Sequence, residues 1–214
     1  MRVLILSPYP EMLHHALDMA GDTYGVDGES IDIDEAEFII SFGHRQIIKE
    51  PILSSFRDRI INIHPSFLPW NRGADPNFWS WFDDTPKGVT IHRIDAGIDT
   101  GNIIVQQHLN KWTEGETLKS SYYYLLGKAK GLFEDNWKNI RRDALPTRKP
   151  EPDVGSTHKK ADKDVWFNQL SGGWDTPVRE VRKLGKSYRS SQDSQKEDRG
   201  PRVRKHRQQT LPEL

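Results

Sequence analysis

The sequence predicts an α/β fold, an open and mostly parallel sheet with flanking helices. Three observations predict it. The chain opens as strand, turn and helix, the start of a doubly wound unit. Short β-branched or apolar runs recur at Val3–Leu6, Phe38–Phe42 and Ile60–Ile63, each closed by turn residues. Polar residues of chemical use sit within or just beyond those runs, at the sheet edge where open α/β sheets bind ligands.

Taken in order, Val3–Leu6 reads as a buried strand ended by Ser7-Pro8-Tyr9-Pro10. Residues 11–20 carry helix formers with apolar residues at helical spacing, and Gly21 supplies a stop. His14 and His15 are adjacent on that helix and are read as surface or packing residues. Residues 22–37 are acidic, with a weak strand at Tyr24–Val26. Phe38–Phe42 is the next strand, and Gly43-His44-Arg45 follows at its C-terminal end, where His44 could touch a ligand or cap a helix. Residues 46–57 read as helical with a break at Pro51. Ile60, Ile61 and Ile63 form a buried strand that carries Asn62 and His64 to a turn stopped by Pro65. Residues 68–77 hold two prolines and a glycine and are expected to be loop. A helix starts just past Pro76. Its Phe78, Trp79, Trp81 and Phe82 cover more than one face, which favours core packing, although one of these rings or Trp70 could stack on a flat ligand. Gly88–Asp95 and Ile103–Gln106 read as a hairpin or two adjacent strands. A long helix runs from Gly115 to about Ile140, with Tyr123, Leu126, Lys130, Phe133 and Trp137 near one face. The organisation expected is a catalytic domain over 1–140, a linker and small helical appendix over 141–185, and a disordered polar tail over 186–214. In the appendix a helix is expected at about 162–170, then a break at Gly172-Gly173 and a last helix to about Leu184.

Composition narrows the function classes. The 214 residues carry a formal net charge of +0, which gives no electrostatic case for nucleic acid as the main partner. There are no cysteines, so thiolate catalysis, disulfides and cysteine zinc sites are excluded. The mean hydropathy of −0.76 is low, as for a normal core followed by a polar end. No apolar run approaches the roughly 20 residues that span a bilayer, and the expectation is a cytoplasmic protein without membrane contact. The opening turn lacks Gly-x-Gly-x-x-Gly, which removes support for a dinucleotide cofactor.

The chemistry centres on residues 60–110, where Asn62, His64 and Asp99 are expected to converge. Four readings fit them. A metal site would draft His64, His92 and Asp99, but strand alternation points His92 away from Ile91 and Arg93 and nothing turns it toward His64. A serine nucleophile at Ser66 lacks the Gly-x-Ser-x-Gly elbow. A structural reading leaves Asn62 and His64 to satisfy turn hydrogen bonds. The fourth is acyl transfer without a covalent enzyme intermediate: the Asn62 amide and a protonated His64 meet the oxyanion, while Asp99 orients His64 and relays the amine's proton.

Asn62-Ile63-His64-Pro65-Ser66-Phe67-Leu68-Pro69, Arg72-Gly73-Ala74, Gly88-Val89-Thr90-Ile91-His92 and Asp95-Ala96-Gly97-Ile98-Asp99-Thr100-Gly101 together resemble the folate-dependent formyltransferases over roughly residues 1–140. The resemblance implies a Rossmann-like sheet, N10-formyltetrahydrofolate as co-substrate with no metal, and Asn62, His64 and Asp99 as the catalytic trio. It places folate near loop backbone, with His44, Asp95, Gly97 and Thr100 as candidate contacts. The motif arrives at residue 62, sooner than usual in the family, so the N-terminal side of the sheet is expected to be shortened.

Three branches compete for the acceptor amine. The methionyl-tRNA branch carries a C-terminal barrel for which residues 141–214 are too short. The glycinamide ribonucleotide branch needs a phosphate loop after the first strand, and the prolines of Ser7-Pro8-Tyr9-Pro10 remove its amide donors. Asn71–Trp79 looks most like the small nucleotide-sugar N-formyltransferases, which implies formylation of a nucleotide-linked amino-deoxysugar such as a 4-amino-4,6-dideoxyhexose. Ser66, Trp70, Arg72, Asp75 and Asn77 are candidate acceptor contacts, and His158 and Lys159 could clamp a pyrophosphate. Hydrolysis of formyl-folate and a catalytically inactive folate-binding module remain alternatives. The apolar helix of 115–140 offers a face for a homodimer.

Overall fold

The computed structural model describes residues 1–26, 31–112, 115–151 and 154–197. The first strand, β1 (Arg2–Leu6), is buried from Val3 to Leu6, as expected for a continuous apolar run covered on both sheet faces. Helix α1 (Glu11–Met19) has an acidic residue in its first turn and is followed by Gly21 at φ +67°, the predicted stop. Then come β2 (Thr23–Val26), a short 3₁₀ turn at Ile33–Glu35, and β3 (Phe38–Phe42), whose five residues are all buried. The helix expected over 46–57 shrinks to α2 (Ile52–Ser55). Pro51 disfavours helical backbone before it, and of the apolar residues at 46–49 Ile47 is 65% exposed while Ile48 alone packs on the core.

Strand β4 (Ile60–His64) is followed by β5 (Arg72–Gly73), a two-residue strand inside the stretch expected to be loop. Helix α3 (Pro76–Phe82) is buried on every side, which explains why its aromatics read as more than one face. Strands β6 (Gly88–Arg93) and β7 (Ile103–His108) form an antiparallel pair. Helix α4 (Leu118–Ile140) is about 34 Å long at 1.5 Å per residue. Thr117 and Ser120 cap it reciprocally: the Ser120 N–H donates to Thr117 Oγ1 at 3.1 Å and the Thr117 N–H to Ser120 Oγ at 2.9 Å. Its buried stripe runs through Leu118, Leu125, Ala129, Phe133, Trp137 and Ile140. Tyr123, placed near that face from the sequence, lies off this stripe and is 61% exposed. Lys130 is half-buried and pairs with Glu134 one turn on. The chain then forms β8 (Thr157–His158), α5 (Lys160–Phe167), a 3₁₀ turn at Gly173–Asp175 and α6 (Val178–Glu197). Among the described residues no helix is long and apolar enough to cross a membrane.

The main sheet has the order β2-β1-β3-β4-β6-β7, parallel from β2 to β4 and antiparallel beyond. This is a Rossmann-like, mostly parallel sheet. Helices α1 and α4 cover one face, where Ile61, Ile63, Val89 and Ile91 pack with Leu17, Phe133 and Trp137. The other face carries Leu4, Leu6, Ile39, Phe56 and Ile60. A third cluster joins α3 to α6, with Trp166, Phe167 and Leu170 of the α5 region packed against it.

The tail expected to be disordered from residue 186 instead continues α6 to Glu197. Val178, Val181, Leu184, Gly185 and Tyr188 recur at helical spacing, and that stripe packs on α3 although the composition around it is polar. Gly185 permits the close crossing, since a Cβ there would fall 1.8 Å from the Phe82 carbonyl oxygen. Tyr188 lies against Trp166 at 4.5 Å between ring centroids, and the Arg189 guanidinium donates to the Phe82 carbonyl. The remainder of that expected tail, 198–214, lies outside the described residues.

Candidate active site

Period-two alternation in β4 decides where the site lies. Ile61 and Ile63 turn to the α1/α4 face, so Asn62 and His64 turn to the opposite one. Asn62 is the third of five strand residues, so it sits on the sheet face and not at the strand end predicted from the sequence. The antiparallel register pairs Asn62 with His92 and His64 with Thr90. Strand β6 therefore runs away from the C-terminal end of β4, and the loop after it leaves from the far edge. Asp99 reaches the site because this loop folds back over the face. Within it, Asp95 Oδ1 accepts from the Gly97 N–H at 3.0 Å and from the Thr100 hydroxyl at 2.6 Å. Asp99 itself is held at φ +52°.

The Asp99 carboxylate is the hub. Its Oδ1 accepts from Asn62 Nδ2 at 3.1 Å and lies 3.4 Å from His92 Nε2. Its Oδ2 accepts from the Gly73 N–H at 2.8 Å and lies 3.7 Å from His64 Nδ1. The other ring nitrogen of His64, Nε2, donates to the Asn71 carbonyl oxygen at 3.1 Å. Burial pushes the Asp99 carboxyl up, but the charge of His64, the hydrogen bond and charge of His92 and the Gly73 amide outweigh it and hold the group below the usual carboxylate range. Burial also pushes the His64 imidazole down, reinforced by His92 and only partly opposed by Asp99 and the Asn71 carbonyl. Burial therefore favours the neutral imidazole beside the Asp99 carboxylate, whereas the sequence reading has His64 protonated.

A histidine held below its unfolded value binds its proton later than the unfolded chain does, so acid favours unfolding. The stability it contributes is complete above the ordinary value near 6.5 and declines as pH falls through that value toward the lower folded one. Wild-type protein should therefore lose more stability between about pH 7 and pH 5 than His64→Gln does, read from urea midpoints across that range. Parallel pH dependences of the two proteins would contradict the assignment.

The loop 69–74 is fixed from both sides. On one side it meets the trio through Asn71 and Gly73. On the other it is zipped to residues 155–158: the Arg72 N–H donates to the Ser156 carbonyl, the Ala74 N–H to the His158 carbonyl and the Asn71 N–H to Ser156 Oγ. Gly73 sits at φ +87° with its Cβ position 2.3 Å from the His158 carbonyl oxygen, a closeness only glycine allows.

Several residues expected to contact the acceptor have partners within the protein. Ser66 is buried and its hydroxyl donates to the Trp70 carbonyl. Asn77 is buried with its amide donating to the Leu118 carbonyl and accepting from Ser121, because α3 is enclosed. His158 lies flat on Trp79, 4.0 Å between centroids and 6° between planes, with Nε2 3.1 Å from Asp83 Oδ2. Its ring packs on Trp79 with Nε2 toward Asp83. Asp75 pairs with Lys163 at 3.1 Å. Arg72 Nε donates to the Thr157 hydroxyl at 3.1 Å, and Trp70 is half-buried in the same loop. Lys159 is exposed, its backbone N–H donating to Asp162. Asp95, Gly97 and Thr100 shape the Asp99 loop, while His44 stands elsewhere. It lines an opening of about 310 Å³ with Leu6, Ser7, Pro8, Val26, Gly43, Arg45 and Gln46. That opening lies beyond β1, β2 and β3, where the strand order reverses.

The sequence reasoning drafted His92 only for a metal site and set it aside, and it gave Asn71 and Gly73 no part in the hub. His92 is 2% exposed and stands beside Asn62 across the β4–β6 pairing. Among the described residues no group of three or more His, Asp or Glu side chains is placed to hold a metal ion, and it is Asn62 that hydrogen-bonds to both His92 and Asp99.

Comparison with known proteins fits this arrangement. The formyltransferase PseJ from Anoxybacillus kamchatkensis, whose crystal structure is in complex with UDP-4,6-dideoxy-4-formamido-L-AltNAc and tetrahydrofolate, is 40% identical to this chain. The match covers 86% of this chain and 100% of that one at a TM-score of 0.79. The chain belongs to the formyltransferase family. The formyl transferase family model matches residues 27–126, which include Asn62, His64, His92 and Asp99. A dTDP-4-amino-4,6-dideoxyglucose formyltransferase from Mycobacterium tuberculosis is 29% identical over 140 residues, 64% of this chain. That match spans 56% of the mycobacterial protein's length. The N-formyltransferase from Helicobacter canadensis, in complex with folinic acid and dTDP-3-aminofucose, shares the fold at a TM-score of 0.61 and 20% identity, over 81% of this chain and 77% of its own.

Proposed function

We propose that this formyltransferase transfers the formyl group of N10-formyltetrahydrofolate to the amino group of a nucleotide-linked amino-deoxysugar, a 4-amino-4,6-dideoxyhexose or close relative. The observation that carries the reading is the Asp99 hub with Asn62 and His64, in a chain 40% identical along the whole of PseJ. The opening beside His44 suits a folate: it is of ligand size, with strand-end amides and apolar Pro8 and Val26 for a flat heterocycle. Folate supplies an activated formyl carbon, and the chain supplies donors and a proton path. Asn62 presents amide hydrogen to the oxygen that gains charge when the amine attacks. The proton shed by the amine passes to the Asp99–His64 pair, where a neutral imidazole can hold it against the carboxylate. It returns to the departing folate nitrogen as the new carbon–nitrogen bond persists and the old one breaks, so no proton is gained or lost overall.

The test is incubation with the formyl donor and a panel of UDP-, dTDP- and GDP-linked amino sugars, reading formamido product by mass. One sugar is expected to be formylated. No product from any sugar, together with formylation of charged initiator tRNA or release of formate without an amine, would sink the reading.

A further inference from the structure

Asn71 opens the stretch whose likeness pointed to the acceptor, yet each of its polar groups is engaged inside the protein. It is 0% exposed. Its carbonyl accepts from His64 Nε2 at 3.1 Å, and its N–H donates to Ser156 Oγ at 3.0 Å. Its side-chain Nδ2 donates to Thr85 Oγ1 at 2.9 Å. Its Oδ1 accepts from the Thr85 hydroxyl at 3.2 Å and from the Ser156 hydroxyl at 3.3 Å. The backbone is left-handed at φ +58°, a conformation that asparagine adopts more readily than most side chains. Thr85 is itself pinned: its N–H donates to the Ser80 carbonyl, and its carbonyl accepts from the buried Lys87 ammonium at 3.1 Å. Two hydroxyls from distant parts of the chain thus close on one amide.

We propose that Asn71 is a positioning residue for formyl transfer: its carbonyl fixes which way the His64 ring faces, and Thr85 and Ser156 hold the turn that aims this carbonyl. This rests on the formyl-transfer reading. A carbonyl only accepts, so the ring atom against it must be a nitrogen that carries hydrogen, and Nε2 is that atom. The same orientation sets Nδ1 toward Asp99, 3.7 Å from Oδ2. A half-turn of the ring would put carbon at both places, Cε1 against Asn71 and Cδ2 against Asp99. The imidazole could then neither meet the carboxylate nor share the amine's proton with it. Asn71 thus acts on the chemistry through His64 without touching either substrate.

Four variants and one spectrum test it on the full chain. Asn71→Ala removes the clamped amide and strains the left-handed turn, so kcat should fall about tenfold or more. KM for donor and sugar should stay within about twofold, because the lost groups bind no substrate. Asn71→Gly accepts the turn without strain and should keep more of kcat than the alanine variant. Thr85→Val loses the hydroxyl that holds the amide and should lower kcat about threefold or more, whereas Thr85→Ser keeps the hydroxyl and should restore it. Nitrogen-15 spectra, with His64 assigned by its loss in His64→Gln, should show hydrogen on Nε2 in wild-type protein and a displaced Nε2 signal in Asn71→Ala. Wild-type kcat in Asn71→Ala, a loss confined to KM, equal turnover in the two Thr85 variants, or a His64 Nε2 without hydrogen would overturn the proposal. If Asn71→Ala fails to fold, the Thr85 pair and the wild-type spectrum decide. If wild-type protein formylates no sugar, the functional reading falls, and the spectrum still judges the contact between Asn71 and His64.

Discussion

Asn62→Ala is expected to lower kcat by about 10²–10³, equivalent to about 2.7–4 kcal/mol of lost transition-state stabilisation. The side chain faces the site and its neighbours Ile61 and Ile63 face the core, so the strand and its packing survive the change. The loss should appear in kcat with little effect on KM, because the amide hydrogen is worth most where charge develops. An unaltered circular dichroism spectrum alongside the lost turnover would complete the result. Turnover within about threefold of wild type would show that Asn62 is not the oxyanion donor.

Trp79→Ala is the second large effect, and it falls first on stability. Trp79 is 4% exposed, meets Phe78 and Phe82 edge to face and lies flat on His158. Removing a buried ring of this size costs about 3–5 kcal/mol. The same change frees His158, whose carbonyl receives the Ala74 N–H and whose strand holds Gly73 under Asp99. Activity should therefore fall further than the folded fraction does. Denaturant titration and specific activity on the same samples separate the two, and a stability loss below about 1 kcal/mol would refute the packing role.

How much of this was legible in the sequence depended on whether a feature is local. The apolar runs Val3–Leu6, Phe38–Phe42 and Ile60–Ile63 announce buried strands because burial on both faces leaves no room for polar residues. Asn62 and His64 stand out for the same reason, as polar intrusions in an isoleucine run. His92 alternates just as plainly, but only the register of β4 against β6, thirty positions apart, aims it at Asn62. The direction of β6 was equally hidden, and it moved the site from the sheet edge to the sheet face. Ser66, Asn77 and His158 have the composition of ligand contacts, yet enclosure by neighbouring elements commits their polar atoms inside the protein. In α6 a sparse apolar stripe at helical spacing outweighed a polar average, which is why residues 186–197 are helix.

The zipper between residues 69–74 and 155–158 has a consequence for the nascent chain. Arg72 pairs with Thr157 across 85 positions, so every residue of the trio leaves the ribosome well before the backbone that braces it. Closing so long a loop costs little more than closing one half its length. What matters is timing: a chain released after α4 would carry Asn62, His64 and Asp99 with a slack support beneath them. Formyl transfer is therefore expected only from chains long enough to include residues 155–158.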